Sequence, residues 1–390
     1  MKNSLKIRAS KAVSAVILVS MLFFLPGCHN KSEDILDGLE RDSECFWTSK
    51  DDKYASLISE LEALCSDCEL PLSVMVATDT DVIFAAGLNS KETDGKTNVN
   101  PYTVYEMGSV TKTITAVAVF QLIEKGKLSL SDTLDRFWPE YEKAAEITVE
   151  NLLYMKSGML DYQLELDYGN GINDPSTMHD GNITDEQAVE AIFTQGCPFQ
   201  AGKRATYCNT NYYLLALIVE KVSGKTYEDY TKTNIFDPCG MSRTTSCTKG
   251  NVTCPPDLSP YSKDELSMVR PFVDGNYYMD CVHTARGCGG LHSCTADMVA
   301  FDRALMSGKL LSFSSLEKMM DFDTSSLSYG CGLYKQNWYF GHAGNTAAYN
   351  AMNAFADTEE YGRIYIVCMV PRSGTDADYF VAQIASILQR

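Results

Sequence analysis

Tyr105-Glu106-Met107-Gly108-Ser109-Val110-Thr111-Lys112-Thr113 leads within two residues into Thr115-Ala116-Val117-Ala118-Val119-Phe120, and the fold is organised around this stretch. The pattern predicts a helix over 109–125, closed by Gly126. Residues 116–120 are apolar on every face. A helix without a polar side is a buried one, so it is expected to run through the centre of the molecule. At its start, Ser109 and Lys112 are three residues apart, which sets both side chains on one face and within reach of each other. The helix N-terminus adds free backbone N–H groups and a positive dipole end where negative charge would develop on an attacked carbonyl. A lysine buried beside a serine has its pKa lowered, and the neutral amine can then serve as base.

The Ser-x-x-Lys pattern alone is weak. Ser246-Cys247-Thr248-Lys249 and Ser315-Leu316-Glu317-Lys318 also fit it, and at most one copy can hold the nucleophile. Context selects Ser109, because it opens an all-apolar helix whereas the other two copies sit in polar surroundings.

Outward from this helix, Asp51–Cys65 is expected to be a helix, with Tyr54, Leu57, Ile58, Leu61 and Leu64 at helical spacing. Leu72–Ala77 and Val82–Ala86 are expected strands joined by a short turn. Residues 129–295 look mainly helical and loop-like, with helices over Asn211–Val222 and Tyr227–Phe236. Asp297–Met306 is a further helix, followed by strands at Tyr329–Tyr334, Trp338–Phe340, Ala347–Phe355 and Arg363–Val370 and a final amphipathic helix over Asp376–Leu388. The implied class is α+β: one antiparallel sheet, built from both chain ends and flanked by helices, with a helical region (roughly 129–295) inserted between.

At the N-terminus, Lys2, Lys6, Arg8 and Lys11 precede a fourteen-residue, largely apolar run, Ala12–Leu25. That is short for a membrane span and suits a signal peptide. The run ends in Leu25-Pro26-Gly27-Cys28, which resembles the bacterial lipoprotein cleavage box. The expected organisation is a signal peptide over 1–27, lipidated Cys28 with a polar tether to residue 50, and a catalytic domain over 51–390. The protein is then exported and held on the outer side of the bacterial membrane by its lipid, and a monomer is expected. Formal net charge is −18, and removal of four basic side chains leaves about −22, a surface that repels phosphate backbones. With no basic stripe, nucleic-acid binding is excluded. Fourteen cysteines are present. Cys65-Ser66-Asp67-Cys68 has redox or zinc spacing but no second copy, and Cys281, His283, Cys288, His292 and Cys294 match no zinc spacing. Small buried side chains are the plainer reading, with disulfides open to an exported chain. No metal or other cofactor is expected.

Several further segments share a family order with the Ser109 stretch. They are Leu152-Leu153-Tyr154-Met155-Lys156-Ser157-Gly158-Met159, Phe199-Gln200-Ala201-Gly202, Tyr207-Cys208-Asn209, Ile235-Phe236-Asp237-Pro238-Cys239-Gly240-Met241, Gly289-Gly290-Leu291 with Asp297-Met298, and Gly341-His342-Ala343-Gly344. Over about residues 52–390 the chain resembles the serine beta-lactamase and DD-peptidase superfamily. Within it the chain is most similar to the class C beta-lactamase-like branch, which includes esterases and D-amino-acid peptidases. Tyr168-Gly169-Asn170, His179-Asp180-Gly181 and Lys156-Ser157-Gly158 imitate single motifs, but they lie in an acidic Gly-rich loop or out of order.

The resemblance implies a beta-lactamase/transpeptidase-like fold and residue roles. Ser109 would form an acyl-enzyme, with Lys112 and Tyr207 sharing the proton transfers. Asn209 would hydrogen-bond the substrate amide and fix Lys112. The N–H groups of Ser109 and Asn345, beside Gly344, would form the oxyanion hole. His342 would line the opposite wall and help hold a carboxylate or carbonyl. It stands where typical beta-lactamases carry lysine, and a histidine is mostly uncharged at neutral pH, which favours esterase or peptidase relatives. Ala348-Tyr349 and Met155-Lys156 are further departures. The implied function is a serine hydrolase acting on an ester, a D-amino-acid peptide or a beta-lactam. The competing readings are an acylatable cell-wall or beta-lactam sensor that does not turn over, and a redox or metal lipoprotein built on the cysteines.

Overall fold

Every residue of the strand Leu72–Thr78 is buried, as expected of a strand covered on both faces. In the computed structural model of the chain, Val74 and Val76 pack into one apolar cluster and Met75 and Ala77 into another. Successive side chains of a strand point to opposite faces, so the sheet separates two cores. The structure describes residues 34–41, 46–66, 72–88, 99–162, 184–246, 285–323, 327–346, 349–371 and 377–389, and the backbone of 251–254, 272–273 and 276–280.

The strands in chain order are β1 (Glu40–Arg41), β2 (Phe46–Thr48), β3 (Leu72–Thr78), β4 (Val82–Leu88), β5 (Tyr105–Glu106), β6 (Thr245–Ser246), β7 (Asn251–Cys254), β8 (Phe272–Val273), β9 (Asn276–Asp280), β10 (Leu291–Ser293), β11 (Tyr334–Gln336), β12 (Tyr339–Asn345), β13 (Tyr349–Thr358) and β14 (Gly362–Pro371). Eight of them form one sheet in the order β1-β2-β4-β3-β14-β13-β12-β11, with antiparallel neighbours throughout. The seam between the two chain ends is the pairing of β14 with β3, Ile364 opposite Thr78 and Met369 opposite Ser73. The sheet is therefore built from both termini, as expected.

Helices α1 (Ala55–Ser66), α2 (Thr111–Glu124), α3 (Val149–Leu153), α4 (Asp185–Thr194), α5 (Asn209–Ser223), α6 (Tyr227–Thr231), α7 (Thr295–Met306), α8 (Phe313–Met319) and α9 (Ala377–Leu388) complete the fold. Residues of α1 and α9 fill the core on one face of the sheet, while α2, α5 and α7 belong to the core on the other. Local chemistry sets several ends. Thr148 with Asn151 and Thr184 with Gln187 form reciprocal caps at α3 and α4, and Gly224 in the left-handed region closes α5. Helix α2 is buried from Thr111 to Leu122. Its polar side chains are satisfied inside the core: Thr113 Oγ1 donates to Gly332 O at 2.7 Å, Thr115 Oγ1 to Gly287 O at 2.6 Å and Gln121 Nε2 to Asn234 O at 3.1 Å.

Four expectations differ from the structure. Phe46–Thr48, read as polar tether, is the strand β2 paired with β4, and three residues are too few to show a period. Residues 329–333 form a bend joined by isolated bridges, and strand begins only with β11 at Tyr334. There Gly332 has φ +74, and a Cβ on it would lie 2.6 Å from Lys112 O. Trp338–Phe340 is no separate strand, since β12 runs on to Asn345. The 129–295 region also contributes strands, with β10 bridging β5 and β6 and with β9 between β7 and β8. Strands β5, β6 and β10 come from distant segments, and β8 has only two residues, so no local period announces them.

Candidate active site

Ser109 lies on the 3₁₀ turn Gly108–Val110 that opens α2. Lys112 Nζ donates to Ser109 Oγ at 2.9 Å, to Asn209 Oδ1 at 2.8 Å and to Cys288 O at 2.7 Å. These three acceptors match the three protons of an ammonium. Burial of Lys112 pushes its pKa down to about 8, partly opposed by the neighbouring Asp161. On the other side of Ser109, Tyr207 Oη donates to Oγ at 2.7 Å. Burial raises the Tyr207 pKa, and the hydrogen bond to Ser109 offsets part of that rise. Tyr207 is therefore a neutral phenol with a proton to give.

The loop carrying Tyr207 is braced by the Leu152–Met159 segment. Thr206 N donates to Met155 O at 2.9 Å and Gly202 N to Lys156 O at 2.8 Å. Gly158, at φ +82, abuts the carbonyl of Phe199 so closely that a Cβ would collide with it. Two stretches that read as separate motifs are thus two sides of one contact. Lys156 itself pairs with Asp323 at 2.8 Å, so its Lys-Ser-Gly is structural. Lys318, of another Ser-x-x-Lys copy, pairs with Glu150 at 3.0 Å.

Strand β12 packs against the turn that carries Ser109. A Cβ on Gly344 would collide with Met107 O and lie 3.1 Å from Ser109 N, and one on Gly108 would lie 2.8 Å from Asn345 N. The glycines let strand and turn meet backbone to backbone, which brings the amides of Ser109 and Asn345 to one place. Asn345 is exposed, and its Oδ1 accepts a hydrogen bond from Asn350.

His342, expected to line the opposite wall, is buried beside the site. It is 2% exposed, and its ring is enclosed by Tyr334, Tyr329 and Tyr207 at centroid distances of 5.2, 5.8 and 6.2 Å. Its Nε2 lies 3.1 Å from Tyr329 Oη and its Nδ1 2.6 Å from Ala343 O. The carbonyl can only accept, which assigns the proton to Nδ1. Burial, with a smaller contribution from Lys112, pushes the His342 pKa down to about 3. The half-buried Tyr334 is stacked at 21° on Tyr207 with centroids 6.0 Å apart.

The structure thus brings Ser109, Lys112, Tyr207, Asn209, Gly344 and Asn345 together and sets His342 behind them. It adds Cys288, Asp161, Tyr329 and Tyr334. Cys288 drew attention for its thiol but participates through its carbonyl, next to the Gly289-Gly290-Leu291 motif that could have pointed to it. Cys65, Cys208, Cys288, Cys294, Cys331 and Cys368 are buried in the core. Cys28 with the signal segment, Cys68, Cys281, His283, Lys249, and the Tyr168 and His179 decoys lie outside the described residues. Among the described residues no helix is long and apolar enough to cross a membrane.

A both-ended antiparallel sheet, with a buried helix presenting a serine between a lysine and a tyrosine, defines the class of beta-lactamase-fold serine hydrolases. The beta-lactamase family profile matches residues 70–386, and the chain belongs to that family. It is 31% identical over 288 residues to the putative penicillin-binding protein PbpX of Bacillus subtilis (strain 168), covering 73% of this chain and 67% of that one. To the teichoic acid D-alanine hydrolase of Staphylococcus aureus it is 25% identical over 276 residues, 68% of this chain and 61% of that one. The fold is similar to the crystal structure of the D-amino acid amidase from Ochrobactrum anthropi SV3 complexed with D-phenylalanine, with a TM-score of 0.66 at 21% identity over 87% of this chain and 100% of that one.

Proposed function

We propose that this protein hydrolyses an ester or amide of a D-amino acid in the bacterial cell envelope through an acyl-enzyme on Ser109. The observation that carries this reading is the position of Ser109 Oγ between Lys112 Nζ at 2.9 Å and Tyr207 Oη at 2.7 Å. In its neutral form the Lys112 amine takes the Ser109 proton as Oγ bonds to the substrate carbonyl carbon. Tyr207 hands its phenolic proton to the departing oxygen or nitrogen, and the proton that Lys112 took from Ser109 passes to Tyr207 to restore the phenol. Water then enters by the same route in reverse, releasing the acid and restoring the serine hydroxyl. The Ser109 and Asn345 amides hold the oxyanion, and Asn209 orients the acyl side chain.

The substrate class is favoured by the wall. His342 is uncharged and buried, and Tyr207 and Tyr334 present rings, so that position offers no cation for the carboxylate of a D-Ala-D-Ala peptide or a penicillin. The teichoic acid D-alanine hydrolase of Staphylococcus aureus gives the same direction by similarity. The class C-like branch, a signal peptide over 1–27 and a lipid anchor on Cys28 complete the reading, with the domain acting outside the membrane.

The test is labelling with a fluorophosphonate and a fluorescent penicillin, with Ser109→Ala as control. A panel of D-alanyl esters, D-amino-acid amides, D-Ala-D-Ala peptides and nitrocefin follows. Label on Ser109 with turnover of the D-alanyl esters or amides is expected. Label without any turnover would make the protein an acylatable sensor, and absence of label on the wild type would overturn the serine mechanism.

A further inference from the structure

The first turn of α5 carries Asn209 and follows Tyr207, yet its own N-cap position, Cys208, provides no side-chain cap. The uncapped N–H is met from another segment. Asn209 N donates to Asp161 Oδ2 at 2.9 Å. The neighbours of Asp161 join the same turn: Thr210 Oγ1 donates to Leu160 O at 2.7 Å and accepts from Tyr162 N at 3.0 Å. Three hydrogen bonds therefore lace residues 160–162 to the turn that sets Tyr207 and Asn209 against Ser109 and Lys112. A carboxylate at a helix N-terminus is stabilised by the dipole and by the orphan N–H groups, so this arrangement is self-consistent.

We infer that Asp161 is a positioning residue of the hydrolase, which caps the Tyr207–Asn209 turn from outside and so holds Tyr207 and Asn209 against Ser109 and Lys112. The groups acting on Lys112 come from several elements. Ser109 lies on its own helix, and Tyr207, Cys208 and Asn209 lie at the start of α5. Cys288 approaches from the Gly287–Gly290 segment and His342 from β12. Burial keeps Tyr207, Cys208 and Cys288 protonated and His342 neutral, and Asp161 is the carboxyl group among them. It opposes the effect of burial on Lys112, and so sets how much neutral amine is present at a given pH. The inference rests on the proposed hydrolase mechanism for its kinetic meaning, but its geometric half does not.

The experiment compares wild type, Asp161→Asn and Asp161→Ala as full chains, reading the rate of fluorophosphonate labelling at Ser109 from pH 5 to 10 and the melting temperature. Asparagine keeps an acceptor for Asn209 N and removes the charge. Asp161→Asn is expected to melt like wild type and to label within about 3-fold at the plateau, with its midpoint moved to lower pH by about half a unit or more. Asp161→Ala is expected to label at least about 10-fold more slowly, because the turn loses its cap. An unmoved midpoint in Asp161→Asn, or wild-type labelling by Asp161→Ala, would overturn the inference. If wild-type Ser109 takes no label, the hydrolase reading fails separately. The structure of Asp161→Ala then decides the geometric half: a Tyr207 hydroxyl displaced from Ser109 supports it, and an unmoved one overturns it.

Discussion

Tyr207 Oη lies 2.7 Å from Ser109 Oγ across a sequence separation of 98 residues, and the phenol belongs to a stack with Tyr334 that fixes the ring independently of its hydroxyl. Removal of the oxygen alone is therefore a clean change. Tyr207→Phe is expected to keep the fold within about 1 kcal/mol and to lower kcat by roughly 10²- to 10⁴-fold, the usual worth of a positioned proton donor. Fluorophosphonate, which needs no protonated leaving amine, is expected to lose less. Steady-state kinetics on a D-alanyl ester beside labelling rates measure the difference.

Lys112 has its pKa lowered to about 8 by burial. Below that value the amine is protonated and cannot accept the serine proton, and above it the base is free. The acylation rate is expected to rise with pH through a midpoint near 8 and then level off. Lys112→Ala is expected to lose at least about 10²-fold at the plateau. Stopped-flow labelling over pH 6–10 reads both, and a flat profile in the wild type would rule out a lysine base.

Gly344 has no room for a side chain, since a Cβ would strike Met107 O. Gly344→Ala is expected to push β12 away from the 3₁₀ turn, separate the Ser109 and Asn345 amides, and lower the labelling rate by about 10²-fold or more, the worth of one oxyanion donor. Gly240 faces open space and, unlike Gly344, has a positive φ, at +74. Gly240→Ala therefore controls for backbone strain and is expected to label like wild type.

His342 is held neutral, with its pKa pushed from 6.5 to about 3. Below pH 6.5 an unfolded chain takes up a proton at this histidine, whereas the folded chain does so only near 3. Folded-state stability is therefore full above 6.5 and falls as pH drops toward 3, by at most about 5 kcal/mol. His342→Gln lacks this slope. Urea denaturation of both proteins from pH 7 to 4 is expected to show the wild type losing its advantage steadily, and parallel curves would show that the buried histidine does not titrate as described.

How much was legible beforehand follows from the range of each signal. The all-apolar run after Ser109 could only be a buried helix, because no face of it tolerates water. The offset of three between Ser109 and Lys112 put hydroxyl and amine together by helical geometry alone. Strands β3 and β4 showed as apolar runs of strand length. Signals of this kind lie within one element, where a residue's neighbours are also its neighbours in the chain.

The remainder depended on packing between distant segments. That His342 is boxed by three tyrosine rings, that the carbonyl rather than the thiol of Cys288 holds Lys112, and that Asp161 caps a helix beginning 48 residues later are set by which segments the two cores press together. Burial, and with it the protonation state of each group around Ser109, is a property of that packing. The sequence by itself determined the Ser109–Lys112 pair and the helix that presents it. Only the tertiary structure decided the charge of the groups around Ser109, because charge follows desolvation and desolvation is a long-range outcome of the fold.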